Sequence, residues 1–314
     1  MPIWLQLVTA VSAGLVSALM GMAFVPYLRK LRFYPPDVPE EHTAEAAGEE
    51  RRPTMGGLLL IVGIAFSMVL CVTLFLQFGD ADRTSDGFAR EVDLLRSAGL
   101  YTAVLTVTGV VADYMTIRGR YQSRFRRNVL LPLALFAGAG AVVLGRSEEL
   151  GASVWMIAAI PAAAAACLLL MQNADQNTDG TLLTVNAVEL LVLTVLLLRR
   201  SEHLLPVYTL ASAGACMGCM VWCLYPAKCR IGYTGSYLLG SIVPMVCGLE
   251  GLYKELALFM AVHVLQELYR LRRHGGRRLT LTEGLEAGGI APHGRIAVMA
   301  GLAAFCGIMV LLLK

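Results

Sequence analysis

The feature that most constrains the fold of this chain is a series of apolar runs that recurs from its first residues to its last. The runs lie at 3–25, 56–78, 98–112, 129–145, 152–172, 182–198, 204–224, 236–250, 252–269 and 292–313. A helix of about 20 apolar residues crosses the hydrocarbon core of a bilayer. With 57% hydrophobic and only 16% charged residues, the composition lies outside the usual range of soluble proteins. We therefore predict an all-α, polytopic membrane helix bundle of about ten transmembrane helices, with residues 1–314 forming a single integral membrane domain.

The loops between these runs predict an orientation. The alternating set 26–55, 113–128, 173–181, 225–235 and 270–295 contains eighteen lysines and arginines, and the opposite set, with Lys314 included, contains eight. Cytoplasmic loops are enriched in these residues. We therefore expect the first set to face the cytoplasm, both termini to lie outside, and the protein to be multi-pass in a cell membrane. The acidic stretch 79–97 then lies outside, where we interpret it as a solvated loop.

The net charge and the cysteines argue against other classes. The charge of +3 is the small remainder of 26 basic and 23 acidic residues, and no basic block alternates with aromatic residues, so no nucleic-acid partner is expected. The eight cysteines lie mostly inside apolar runs, which is typical of small packing residues rather than of a disulfide framework. For the same reason we expect Cys216, Cys219 and Cys223 to pack rather than to bind a soft metal. We expect His263 to be hydrogen-bonded across the bundle.

One carboxylate stands at the cytoplasmic end of the third run. Asp113 closes the segment GVVAD and is followed by five arginines between 118 and 127 with no acid among them. A carboxylate at this place could bind a metal or accept a proton. The arginines could hold anionic lipid headgroups or a substrate phosphate, and the positive-inside bias alone could also account for them.

The segment NADQNTDG at 173–180 has the strongest chemical signal in the sequence. Asp175 and Asp179 are four residues apart and would share a face of a helix, and Asn173 adds an amide oxygen. Hard oxygen donors of this kind suit Mg²⁺. The alternative is an ordinary polar turn.

Two further cytoplasmic segments contain proline and closely spaced glycines. RRPTMGG at 51–57 is typical of a tight helix entry. YPAKCRIGYTGS at 225–236 contains Lys228, Gly232, Thr234 and Ser236, and its glycines and hydroxyls could form a backbone nest for phosphate, although two glycines alone are weak support.

Taken in order, these segments resemble the prenyl-phosphate sugar-1-phosphate transferases, and among them most closely the bacterial phospho-N-acetylmuramoyl-pentapeptide transferases. The resemblance rests on VPYLRKLRF at 25–33, PTMGG at 53–57, NA at 173–174, TDG at 178–180, PA at 226–227, and the later Gly232, TGS at 234–236 and LG at 239–240. It extends from the first apolar run to the last.

This resemblance implies transfer of a phospho-sugar from a UDP-sugar to a polyprenyl phosphate lipid carrier in peptidoglycan and cell-wall precursor synthesis, with Mg²⁺ as cofactor. It implies that Asp113 positions the lipid phosphate, that Asp179 binds the metal, that Asn173 supports this cluster, and that the protein lies in a bacterial inner or plasma membrane. Asp175 stands where the family has an apolar residue, and its place four residues before Asp179 makes it a candidate second metal ligand; the alternative is a solvated aspartate. Lys228, Gly232, Thr234 and Ser236, from the possible phosphate nest, are the candidate substrate-binding residues. A homodimer is left open.

The sequence departs from the family pattern where the chemistry is most demanding. Ala112, Leu182 and Tyr233 stand where the family has acids, Thr116 and Gln176 replace a lysine and an asparagine, and a triple-histidine segment is absent from the last cytoplasmic loop. Two hypotheses follow. The chain is an enzyme of this family, with Mg²⁺ retained or lost, or it is a catalytically silent paralogue, a pseudoenzyme that binds lipid carrier, nucleotide-sugar or a membrane partner.

Overall fold

The computed structural model describes residues 3–34, 52–78, 86–119, 129–145, 157, 159–167, 180–200, 202–271, 273–274, 277–278 and 281–313. The helices are α1 Ile3–Lys30, α2 Gly57–Phe78, α3 Asp86–Ile117, α4 Leu131–Gly145, α5 Thr181–Arg199, α6 Leu204–Cys223, α7 Gly232–Leu249, α8 Tyr253–Leu271, α9 Leu281–Ala287 and α10 Pro292–Leu312. Residues 159–167 are also helical. Strands β1 (Arg273–His274) and β2 (Arg277–Arg278) form a short antiparallel ribbon in which Arg273 pairs with Arg278.

The predicted class, an all-α polytopic membrane bundle, is confirmed. Six helices, namely α1, α2, α3, α5, α6 and α10, are each long and apolar enough to cross a membrane. Helical residues also occur at each of the other four predicted positions. The count of ten spans and the outward orientation of both termini stay predictions. The ribbon and α9 lie within the loop 270–295, where no regular structure was predicted.

The bundle is organised around α6 and α7. Helix α6 packs against α1, α2 and α5, whereas α7 packs against α2, α3 and α8. Every residue of α7 from Thr234 to Leu249 is buried. Helix α10 covers α5 and α8 on the outside of the bundle. This arrangement places the C-terminal end of α3 beside the N-terminal ends of α2 and α7, where most of the predicted site residues lie.

The interpretation of 79–97 as a solvated loop is wrong for its second half. Helix α3 begins at Asp86 and continues without interruption to Ile117. Glu91 is buried, and its Oε2 accepts hydrogen bonds from the backbone N–H groups of His203 and Leu204 at 2.9 and 2.8 Å. These N–H groups lie at the start of α6, where an acidic side chain can accept hydrogen bonds from the backbone of the first turn. Glu91 therefore ties the first turns of α3 to α6.

Two more buried carboxylates lie at the same end of the bundle. Arg90 Nη1 lies 3.5 Å from Glu202 Oε1, and Arg90 Nη2 lies 4.0 Å from Glu250 Oε1. Burial raises the pKa of Glu202 above its ordinary value, and the negative charges of Glu250 and Glu91 raise it further, against the opposing effect of Arg90 and Arg200. A charged Glu202 is thus less favourable in the fold than in the unfolded chain.

This raised pKa predicts a pH dependence of stability. The folded state binds the Glu202 proton more tightly than the unfolded state, so the stability that this group contributes is complete below the ordinary value of 4.5 and is lost as the pH rises through the raised value. We expect thermal unfolding in detergent to show wild type losing stability relative to Glu202→Gln across this window. A difference that stayed constant from low to neutral pH would contradict the assignment.

Candidate functional site

Three separate parts of the chain meet at the C-terminal end of α3. The segment 52–57 leads into α2, the turn 224–231 leads into α7, and Asp113 lies near the end of α3. Backbone hydrogen bonds join the first two: Gly56 N–H donates to Arg230 O and Gly57 N–H to Ile231 O, both at 2.8 Å, and Arg230 N–H donates to Pro53 O at 2.8 Å. The two proline- and glycine-containing motifs of the sequence therefore form one structural unit.

Asp113 occupies the centre of this unit. Its side chain is buried at 1% exposure and accepts four hydrogen bonds. Oδ1 accepts from Thr54 Oγ1 at 3.2 Å and from Tyr233 N–H at 3.0 Å, and Oδ2 accepts from Thr234 N–H at 2.9 Å and Thr234 Oγ1 at 2.6 Å. Two of these donors are backbone N–H groups in the first turn of α7, where a negative charge is favourable. Asp113 thus caps α7 from a different helix.

Gly232 and Gly57 permit this close approach. Gly232 has a φ of 72°, in the left-handed region, and a Cβ built there would lie 2.6 Å from Asp113 Oδ1 and 2.5 Å from Thr54 Oγ1. A Cβ on Gly57 would lie 2.2 Å from Gly235 N. Gly232 is suited to its positive φ, and the absence of a side chain at both glycines allows the close contact between α2, α3 and α7.

The turn before α7 presents Lys228 outward and packs its cysteines inward. Lys228 is exposed, and its Nζ lies 5.2 Å from the centroid of the Trp222 ring. Cys223 Sγ lies 3.7 Å from Cys219 Sγ and 3.4 Å from Cys229 Sγ. Cys216, Cys219 and Cys223 are buried, and all eight cysteines are free thiols. The expectation that these residues pack in the interior is confirmed.

The predicted substrate-binding residues differ in their environments. Thr234 and Ser236 are buried, and the Ser236 hydroxyl donates to Gly232 O at 3.0 Å. Gly232 is half-buried against Asp113, whereas Lys228 faces outward. Asn173, Asp175 and Asp179 lie outside the described residues. The structure thus brings Asp113, Gly232 and Thr234 together. Thr234 hydrogen-bonds to the Asp113 carboxylate, and Gly232 lies against the same carboxylate.

The three positions at which the resemblance predicts acids, 112, 182 and 233, have packing contacts in the fold. Ala112 and Leu182 are buried in the apolar core. The half-buried ring of Tyr233 lies 6.0 Å from that of Tyr237. Within the described part of the chain, no group of three or more His, Cys, Asp or Glu residues could hold a metal ion. Since the Asp113 oxygens already accept from protein donors, the described residues do not fit a Mg²⁺ site.

One residue near the turn 224–231 was not singled out from the sequence. His293, near the start of α10, is exposed, and its ring lies 5.5 Å from that of Tyr225 in an edge-on arrangement. Arg118, Lys228 and Arg230 are exposed at the same end of the bundle. His293 belongs to the predicted cytoplasmic set of loops, but nothing in its local sequence indicates a contact with a residue 68 positions earlier.

Comparison with known proteins agrees with this architecture. The profile of the family described as Glycosyl transferase family 4 matches residues 95–262. Because this match covers more than half of the 314 residues, the chain belongs to that family. It is a membrane protein of a transferase family, and the matched residues include Asp113 and the turn before α7 and end one residue before His263.

Several similar proteins are named phospho-N-acetylmuramoyl-pentapeptide-transferase. The chain is 27% identical over 297 residues to a phospho-N-acetylmuramoyl-pentapeptide-transferase of Moorella thermoacetica, covering 86% of this chain and 83% of the relative. The enzyme of the same name from Bacillus pumilus is 24% identical over 274 residues, with 83% and 80% covered. That of Bacillus subtilis is 23% identical over 279 residues, with the same coverage. The resemblance inferred from the motifs is confirmed.

Proposed function

We propose that the chain binds a polyprenyl phosphate and a UDP-sugar at the face formed by 52–57, the end of α3 and the turn 224–231, as a phospho-N-acetylmuramoyl-pentapeptide-transferase-like protein of cell-wall precursor synthesis. The observation that carries the proposal is the Asp113-centred unit, which joins both family motifs beside exposed cations. Lys228 and Arg230 are suited to phosphate groups, since two anionic substrates must approach each other there.

Phosphoryl transfer at this face would need compensation for the charge that develops on the phosphates. Lys228, Arg230 and Arg118 are exposed and can supply part of it. A divalent cation would have to be held by residues beyond the described ones, and Asp175 and Asp179 are the proposed ligands, with Asn173 in support. When bound, Mg²⁺ offsets phosphate repulsion and polarises the phosphorus under attack.

A specific observation favours the silent paralogue as a second candidate. In the described site Asp113 is used for capping, and the positions of Ala112 and Leu182 lie in apolar packing. Loss of one charge-stabilising group in an active site typically costs about 10²–10³ in rate. A protein with these replacements retains a fold that can bind both substrates while turnover is reduced or lost.

A paired measurement distinguishes the two candidates. Purified protein in detergent is assayed with Mg²⁺, UDP-N-acetylmuramoyl-pentapeptide and polyprenyl phosphate beside the Bacillus subtilis relative, and binding of each substrate is measured separately. We expect binding of both, with turnover at least about 10³-fold below that of the relative. Binding without turnover selects the silent paralogue, and failure to bind either substrate rejects the proposal.

Any residual transfer allows a test of the two aspartates. We expect Asp179→Asn to abolish it, because a hard cation loses a carboxylate ligand. If Asp175 is a second ligand, Asp175→Asn abolishes it equally. Retained transfer in Asp175→Asn beside loss in Asp179→Asn confines the role to Asp179, and retained transfer in both variants rejects the proposed metal ligands.

A further inference from the structure

A buried pair of ionisable side chains, one histidine and one glutamate, lies inside the bundle, away from the candidate site. His263 Nε2 on α8 lies 3.2 Å from Glu189 Oε1 and 3.5 Å from Glu189 Oε2 on α5. The two side chains are 1% and 2% exposed. The expectation that His263 is bonded across the bundle is therefore confirmed, and its partner is an acid that the sequence did not single out.

Glu189 and His263 lie in a largely apolar interior, so each side chain depends on the other for a polar partner. Val185, four residues before Glu189, and Val262, next to His263, are buried in an apolar cluster with Met299 of α10. Among the described residues, the thiols of Cys167, Cys247 and Cys306 lie in electrostatic range of Glu189, on 159–167, α7 and α10. None of these groups is a cation. A buried ionisable side chain without its partner is costly in this interior, so removing either residue leaves the other in an unfavourable environment.

The pair acts on a helix that has a second polar contact on another side. Thr194 Oγ1 lies 2.8 Å from Thr209 Oγ1 on α6. Glu189 and Thr194 are five residues apart, so their side chains leave α5 about 140° apart around the axis and about 7.5 Å apart along it. Because the two contacts are separated both around and along the axis of α5, together they resist rotation of the helix about its axis and translation along it.

Helix α5 connects this interior to the candidate site. It begins at Thr181, directly after Gly180, which has a φ of 74°. A Cβ on Gly180 would lie 2.6 Å from a Leu224 methyl carbon and 2.9 Å from Cys223 O. The start of α5 therefore packs tightly on the end of α6 and the turn before α7, and its position depends on how α5 is set within the bundle.

We propose that Glu189 and His263 are positioning residues that fix the rotation and depth of α5, and with it the first turn of this helix against the turn 224–231. That the position of α5 matters for phospho-sugar transfer rests on the proposed function. The pairing of Glu189 with His263 and its effect on the position of α5 are independent of that function. Neither residue touches the proposed substrates.

Hydrogen exchange in the first turn of α5 tests the proposal directly. The amide of Thr184 donates to Gly180 O at 3.0 Å and reports on this turn. We expect Glu189→Gln and His263→Gln each to raise exchange at 181–185 at least about tenfold, the equivalent of 1.4 kcal/mol. The exchanged pair Glu189→His with His263→Glu is expected to restore protection, which a loss of packing volume would not explain.

Glu267→Gln is the matched control. Glu267 lies on α8 one turn after His263, and its Oε1 pairs with Arg270 of the same helix. The same substitution there should leave exchange at 181–185 unchanged. Equal exchange in the Glu189, His263 and Glu267 variants overturns the proposal, as does a folded exchanged pair that remains unprotected. If the exchanged pair does not fold, the single variants against Glu267→Gln still decide. Because the measurement needs no turnover, a parent without transfer activity rejects the proposed function and not this proposal.

Discussion

Replacing Asp113 by Asn is expected to destabilise the protein by about 3 kcal/mol or more, because an acceptor-only group that is buried among four donors becomes an amide with one acceptor oxygen. The amide NH₂ of Asn would point at two of the N–H or O–H donors and could not accept their hydrogen bonds. The first turn of α7 would also lose its capping charge. The effect should appear as a lower unfolding temperature in detergent, independent of any substrate or metal.

Thr54→Val serves as the comparison for this prediction. It removes the longest of the four hydrogen bonds, 3.2 Å, while keeping the carboxylate and the volume of the side chain. We expect a cost of about 1 kcal/mol, the usual net value of a single hydrogen bond. If Asp113→Asn unfolded like wild type but lost substrate binding, Asp113 would be a group that acts on the substrate and its capping role would be secondary.

The contacts of Asp113 illustrate what the sequence predicted and what it did not. Its place at one end of the bundle followed from the apolar run before it and the arginines after it. Its partners Thr54 and Thr234 lie 59 and 121 residues away. Hydropathy and periodicity identify a helix end but do not specify which distant backbone donors meet it. Thr234 and Ser236 were therefore predicted to bind substrate although their hydroxyl groups hydrogen-bond within the fold.

The first turns of α3 show where the hydropathy pattern gave a wrong prediction. The acidic residues between 79 and 97 lowered the average hydropathy, which indicated a loop. However, Glu91, Leu94, Ala98 and Tyr101 are all buried, and their spacing of three or four residues is that of one helical face. A pattern-based analysis could have found this face. That Glu91 itself would be buried could not be predicted, since its partners are the N–H groups at the start of α6, more than a hundred residues later.

The contact between α1 and α6 leads to the second large expected effect. A Cβ on Gly218 would lie 2.0 Å from Gly14 O, and a Cβ on Gly214 would lie 2.3 Å from Ala10 O. The obstructing atoms belong to the backbone of α1 and cannot rotate away. Small residues spaced by four let membrane helices approach this closely, and van der Waals packing is a main source of their association. A single methyl group must therefore push the two helices apart.

We expect Gly218→Ala to lower stability by about 2 kcal/mol through this overpacking, even though alanine favours a helix over glycine by about 1 kcal/mol. Gly301→Ala on α10 is the matched control, since a Cβ there meets no atom within 4 Å. It should be neutral or stabilising by the helix-propensity gain alone. Unfolding of both variants in the same detergent compares them directly. Equal stability of the two would show that α1 and α6 are further apart than the structure places them, because steric overlap with the α1 backbone is the physical difference between these two substitutions.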